Sequence, residues 1–294
     1  MNKIDGILTT KAINTIKGFS ILIIVFYHIT SWAKDLEFYV LNFALPAFMF
    51  ASGVLYFRYT RKKSLPFWEF ITKKAKRLLI PYISLGISYT IIKIVFFSIS
   101  GHPYDIITSF ENLIFNPWES YAVYLWFIYT LFIIFFIVHL TPDRYLPLLG
   151  VAAVVCYFLS DRLPSLFCMS SVAQYFIFFI SGYCVYRSSA NANSLSSVIF
   201  GGGGEFIRYI SFSIYTGALC FLSRLSVATP FAFIGRQAGE IYFLHPFILA
   251  IGKVFLADRY NLLLGILALI IPITIDHICR KLNMTLFQHF FLGK

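Results

Sequence analysis

The sequence predicts an all-α integral membrane protein, a polytopic bundle of about ten transmembrane helices, on three observations. Of the 294 residues, 59% are hydrophobic and only 13% are charged. Mean hydropathy is +0.78, beyond what a soluble domain sustains. Apolar runs of membrane-spanning length recur from end to end, continuous rather than alternating, so helices and not a β-barrel satisfy the backbone in lipid. One transmembrane domain over residues 1–294 is expected, with no soluble domain.

The first span, about 13–32, has the apolar core of a secretory signal but carries His28 and lacks a small-residue cleavage pattern. It reads as a retained helix. Further spans follow at about 38–57, 78–99, 121–140, 145–160 and 172–187. Between the second and third lies RYTRKKSLPFWEFITKKAKR, residues 58–77, which holds most of the basic excess behind the net charge of +11. Positive-inside bias accounts for it without nucleic acid and puts this loop, with Lys3 and Lys11, on the cytoplasmic side. The joint GHPYDIITSFENLIFNPWES, residues 101–120, has acidic residues and no lysine or arginine, as an outer loop should. Residues 195–222 are expected to cross twice, or to dip in and return, with the break at Gly201–Gly204. Spans at about 239–257 and 261–279 complete the bundle, and both termini are expected in the cytoplasm.

Five cysteines lie scattered in apolar segments with no C-x-x-C pair, so they read as small buried hydrophobes. The six histidines show no metal-ligand spacing, and no metal is expected. The glycine run is followed by no G-K-[ST] and is not a phosphate loop.

Ionisable groups inside a bilayer are costly unless satisfied, which makes them functional candidates. In TIKGFSILIIVFYH, Lys17 and His28 are eleven residues apart. That is about three turns plus 20°, so both lie on one helix face about 16 Å apart. An imidazole can take a proton from a hydroxyl and return it, as group transfer to an alcohol requires. It can equally serve as a helix-packing histidine. Lys17 can clamp a phosphate or snorkel to the headgroups. In FNPWES, Trp118 and Glu119, with Trp126 on the next helix, suit a sugar subsite, while interfacial anchoring explains the indoles as well. Glu240 lies about 140° round the helix from His245 and is not expected to pair with it.

TIKGFSILIIVFYH resembles the first-helix signature of membrane acyltransferase family 3, in which a basic residue precedes a histidine with ten residues between. Lysine here replaces the commoner arginine, keeping the charge without the bidentate fork. Later stretches are similar in the family's order: FALPAFMFASGVLYF with Ser52 and Gly53, KKAKRLLIPY with Arg77 and Pro81, YLWFIYTLF with Trp126 and Phe127, FFISGY, and GRQAGEIYFLHPF with His245. The resemblance spans about residues 13–282.

It implies an O-acyltransferase that moves acetyl from cytoplasmic acetyl-CoA, a donor substrate and not a resident cofactor, to a sugar hydroxyl of a cell-surface polysaccharide or glycolipid. It implies the stand-alone form, without an SGNH domain, in a bacterial cytoplasmic membrane. His28 would be the general base. Lys17 and Arg77, supported by Lys73, Lys74 and Lys76, would bind CoA phosphates. Trp118, Glu119, Trp126 and His245 would line the acceptor. The alternative is a glycolipid or polysaccharide transporter or flippase, whose usual marks are several interior charges or paired broken helices.

Overall fold

The computed structural model describes residues 9–29, 37–61, 65–103, 105–190, 215–255 and 260–294. Every regular element among them is helical. In chain order these are α1 (Thr10–Ile29), α2 (Glu37–Thr60), α3 (Phe67–Ser100), α4 (Ile106–Ile114), α5 (Val123–Leu140) and α6 (Asp143–Arg162). They continue as α7 (Met169–Ala190), α8 (Tyr215–Leu222), α9 (Ser226–Arg236), α10 (Ala238–Phe255) and α11 (Asn261–Lys281). Among the described residues seven helices are long and apolar enough to cross a membrane, and the α8–α9 pair, bent by 111°, makes a candidate eighth. The chain is thus an all-α, multi-pass membrane protein, and the expected count of about ten is consistent with it.

The chain divides into two compact units, each built from two segments. The first takes residues 1–64 and 177–271, the second residues 65–176 and 272–294.

Two backbone-to-backbone contacts hold the first unit together. A Cβ added at Gly18 of α1 would meet the Phe231 carbonyl oxygen at 1.9 Å, and one at Gly235 would meet the Asn14 oxygen at 1.7 Å. Small residues admit this approach, and in lipid such close packing replaces the hydrophobic drive. Phe19 stacks on Phe231 beside it, with ring centroids 3.9 Å apart. The second contact joins α2 to α7: a Cβ on Gly53 would fall 2.1 Å from the Phe179 oxygen, and one on Gly182 2.6 Å from the Val54 nitrogen. The Ser-Gly pairs of both motifs therefore mark a helix crossing.

In the second unit, α3 begins eleven residues before the expected third span, because the basic stretch from Phe67 onward is itself helical. A π turn, Ala75–Leu79, joins the two parts. Pro81 has no amide for the Arg77 carbonyl, and the wider turn accommodates that loss. The Tyr82 hydroxyl donates to the Leu113 carbonyl at 2.6 Å, tying α3 to α4. At the C-terminal end the buried Asp276 carboxylate receives Arg280, Lys294 at 2.9 Å and Gln288 at 3.4 Å. This network anchors the last ten residues to α11.

The expected break at Gly201–Gly204 lies outside the described residues. The break that the structure describes falls at residues 223–225, where the Ser223 hydroxyl turns back to the Cys220 carbonyl at 2.6 Å.

Candidate active site

In the first unit α1 ends with His28 in its last turn, and α10 carries His245 immediately before Pro246. Proline inside a helix leaves the carbonyl four residues earlier without its amide donor. Here that carbonyl belongs to Tyr242, and the His245 ring occupies it: Nδ1 lies 3.0 Å from the Tyr242 oxygen and 2.9 Å from that of Ile241. Both partners accept only, so Nδ1 carries the proton and Nε2 presents a lone pair. His245 is 1% exposed, and its Nε2 has no hydrogen-bond partner among the described residues.

The His28 ring stands 5.5 Å from that of His245, centroid to centroid, tilted by 34°. The Tyr27 ring meets His28 edge-on at 4.9 Å. The ammonium of Lys253 donates to the His28 backbone carbonyl at 3.1 Å, closing the end of α1 with a charge from α10. Lys17 sits half-buried on α1 near its start. Two histidines 217 residues apart thus form one pair, one with its tautomer fixed by backbone. This is the arrangement of an oriented base.

In the second unit the expected phosphate-binding cations divide. Lys73 pairs with Glu69 at 2.6 Å, and the Lys74 ammonium lies 3.6 Å from the centre of the Phe135 ring. Lys76 and Arg77 are exposed. The Trp118 and Trp126 indoles stack on each other with centroids 4.5 Å apart. Trp118 donates its indole N–H to the Ser171 hydroxyl at 2.8 Å. Trp126 is 8% exposed against 39% for Trp118, so it supports its neighbour from below while Trp118 keeps a free face. Glu119 lines a small cavity of about 130 Å³ with Asp105, Thr108, Ser109, Asn112 and Tyr121. The Asp105 carboxylate caps α4, and hydrogen bonds from the Thr108 side chain, then its backbone and that of Ile107, hold its carboxyl below the usual range.

Among the described residues no three His, Cys, Asp or Glu side chains are grouped to hold a metal. Sequence reasoning did not single out Lys253, although a lysine near the end of an apolar helix is a signal of its own.

The model of a family described as an acyltransferase domain matches residues 10–206, well over half of the chain. The chain belongs to acyltransferase family 3. No curated protein and no solved structure matches it significantly. Within this acyltransferase the matched range covers α1 with Lys17 and His28, the basic stretch with Arg77, and Trp118, Glu119 and Trp126. His245 lies beyond it, and its geometry alone brings it to His28.

Proposed function

We propose that this membrane acyltransferase moves an acetyl group from acetyl-CoA to a hydroxyl of a polysaccharide or glycolipid sugar, with His28 as general base. The observation that carries the reading is the pairing of His28 with a buried, tautomer-fixed His245. The hydroxyl oxygen attacks the thioester carbonyl as His28 takes its proton. The tetrahedral intermediate then collapses, the C–S bond breaks, and the proton passes from His28 to the departing thiolate. His245 is a positioning residue, its free Nε2 accepting a hydrogen bond that orients the His28 ring or the incoming hydroxyl.

Lys17, about 16 Å up the same helix face, binds a CoA phosphate while the pantetheine arm runs toward His28. In the second unit the exposed Lys76 and Arg77 raise the local concentration of the anionic donor. Trp118 and Glu119 suit an acceptor sugar, the indole by its free face and the carboxylate by bonding hydroxyls. The distribution of basic residues supports a bacterial cytoplasmic membrane with both termini inside.

The test uses purified protein in nanodiscs, following thiol release from acetyl-CoA with glycan extracts for wild type and His28→Ala. Release that needs both glycan and His28 is expected. Full release by His28→Ala overturns the base assignment, and absence of both CoA binding and release in wild type overturns the donor and favours glycolipid transport.

A further inference from the structure

Lys253 lies exposed on α10, eight residues beyond His245 and about 12 Å further along the axis. Its ammonium donates to the His28 carbonyl at 3.1 Å, so α10 meets the base twice, at the ring through His245 and at the backbone through Lys253. Close packing fixes the corner on which this lysine stands. A Cβ added at the neighbouring Gly252 would fall 2.1 Å from Leu264 Cδ1 of α11. One added at Gly265 of α11 would fall 2.8 Å from Ile29 Cδ1 and 3.1 Å from Phe26 Cε1 of α1. The last turns of α1 and α10 and the start of α11 therefore converge at the His28 end of the first unit.

An ammonium has three donors, and one carbonyl neither occupies them all nor brings a negative charge. Among the described residues no carboxylate forms an ion pair with Lys253. Snorkelling to the headgroups would carry the ammonium away from the bundle. It reaches across to α1 instead, and its charge is held beside the base. Positive-inside bias gives no reason for it either: in the orientation proposed above, the ends of α1 and α10 that carry His28 and Lys253 are extracytoplasmic. A charge kept at such a place in a membrane helix is a functional candidate. It suits a carboxylate or a phosphate, bound through charge-assisted hydrogen bonds. The thioester end of the donor carries no charge, so the anion belongs to the acceptor.

We propose that Lys253 anchors an acidic substituent of the acceptor, a carboxylate or a phosphate, beside His28, so that this acyltransferase modifies an anionic glycan or glycolipid. The assignment rests on the acetyl-transfer reading above. It gives the ammonium a part distinct from that of His245: His245 orients the base, and Lys253 selects what is brought to it. Its bond to the His28 carbonyl fixes the anchor to the same turn as the imidazole.

The experiment separates a glycan extract by anion exchange into neutral and acidic fractions and follows thiol release from acetyl-CoA by the protein in nanodiscs. Wild type should use the acidic fraction and leave the neutral one unmodified. Lys253→Met keeps the side-chain length without the charge, and thermal unfolding checks that it is folded. It should raise the KM for the acidic fraction roughly 10- to 100-fold, the effect of one hydrogen bond to a charged group, with kcat and the KM for acetyl-CoA close to wild type. Lys253→Arg, which keeps the charge, should recover most of the acceptor affinity. Carboxyl reduction or phosphate cleavage of the acidic fraction should abolish its use, and the treatment that does so names the anion. Equal use of the two fractions by wild type, or a loss of kcat at unchanged acceptor KM in Lys253→Met, overturns the anchor and leaves acetyl transfer standing. Absence of release by wild type with either fraction overturns that reading and the anchor with it.

Discussion

His245 supplies to the Tyr242 carbonyl the hydrogen bond that Pro246 cannot. The defect that proline introduces into α10 is therefore what fixes the imidazole. Replacing Pro246 with alanine restores a backbone N–H that competes for the Tyr242 oxygen. Thermal stability in nanodiscs should hold or rise, while kcat falls severalfold at unchanged KM for acetyl-CoA. An unchanged kcat would show that the tautomer is fixed by the Ile241 carbonyl alone.

His28→Ala should lower transfer by roughly 100- to 10,000-fold, the range of a general base, with membrane insertion intact. Thiol release, compared at equal amounts of inserted protein, measures it.

Gly18→Ala and Gly235→Ala each place a methyl group under 2 Å from a carbonyl oxygen of the neighbouring helix. Backbone cannot yield as a side-chain tip can, so each should cost about 1–3 kcal/mol or more and lower the thermal midpoint. A stability equal to wild type would mean that α1 and α9 meet less closely than described.

The stacked indoles separate two roles. Trp126→Ala removes a buried ring and should destabilise by about 3–5 kcal/mol in thermal unfolding. Trp118→Ala should instead raise the acceptor KM while leaving the donor dependence unchanged, as measured with glycan titrations.

Asp105 provides a pH test outside the membrane-spanning segments. Its carboxyl is held below the ordinary 3.8 by the Thr108 and Ile107 bonds. A depressed carboxylate stabilises fully above its unfolded value and loses that contribution as pH falls through the folded one. Hydrogen exchange at residues 107–109 should therefore quicken at pH values under about 4 in wild type, and be fast at all pH values in Asp105→Ala.

Much of the bundle was legible because apolar runs of this length can only be helices in lipid. The start of α3 was not, because Lys73, Lys74, Lys76 and Arg77 read as a loop. Helix spacing instead pairs Lys73 with Glu69 and lays Lys74 over Phe135. Lys17 and His28 were legible because helical periodicity fixes their common face. The contact of His28 with His245 was not, since no local rule links residues that far apart in sequence. The tryptophans were legible as a cluster, but only the stack shows that Trp126 lies beneath Trp118 and shares none of its open face.

The meeting of α1 with α9 at Gly18 and Gly235 has a mechanical meaning. Side chains between helices act as a compliant layer that lets one slide or roll against the other. Here the backbones touch at both glycines, so turning α1 would drag α9 with it, and His28 is mounted on a stiff two-helix beam. Other helices of this unit can swing past an imidazole that stays still.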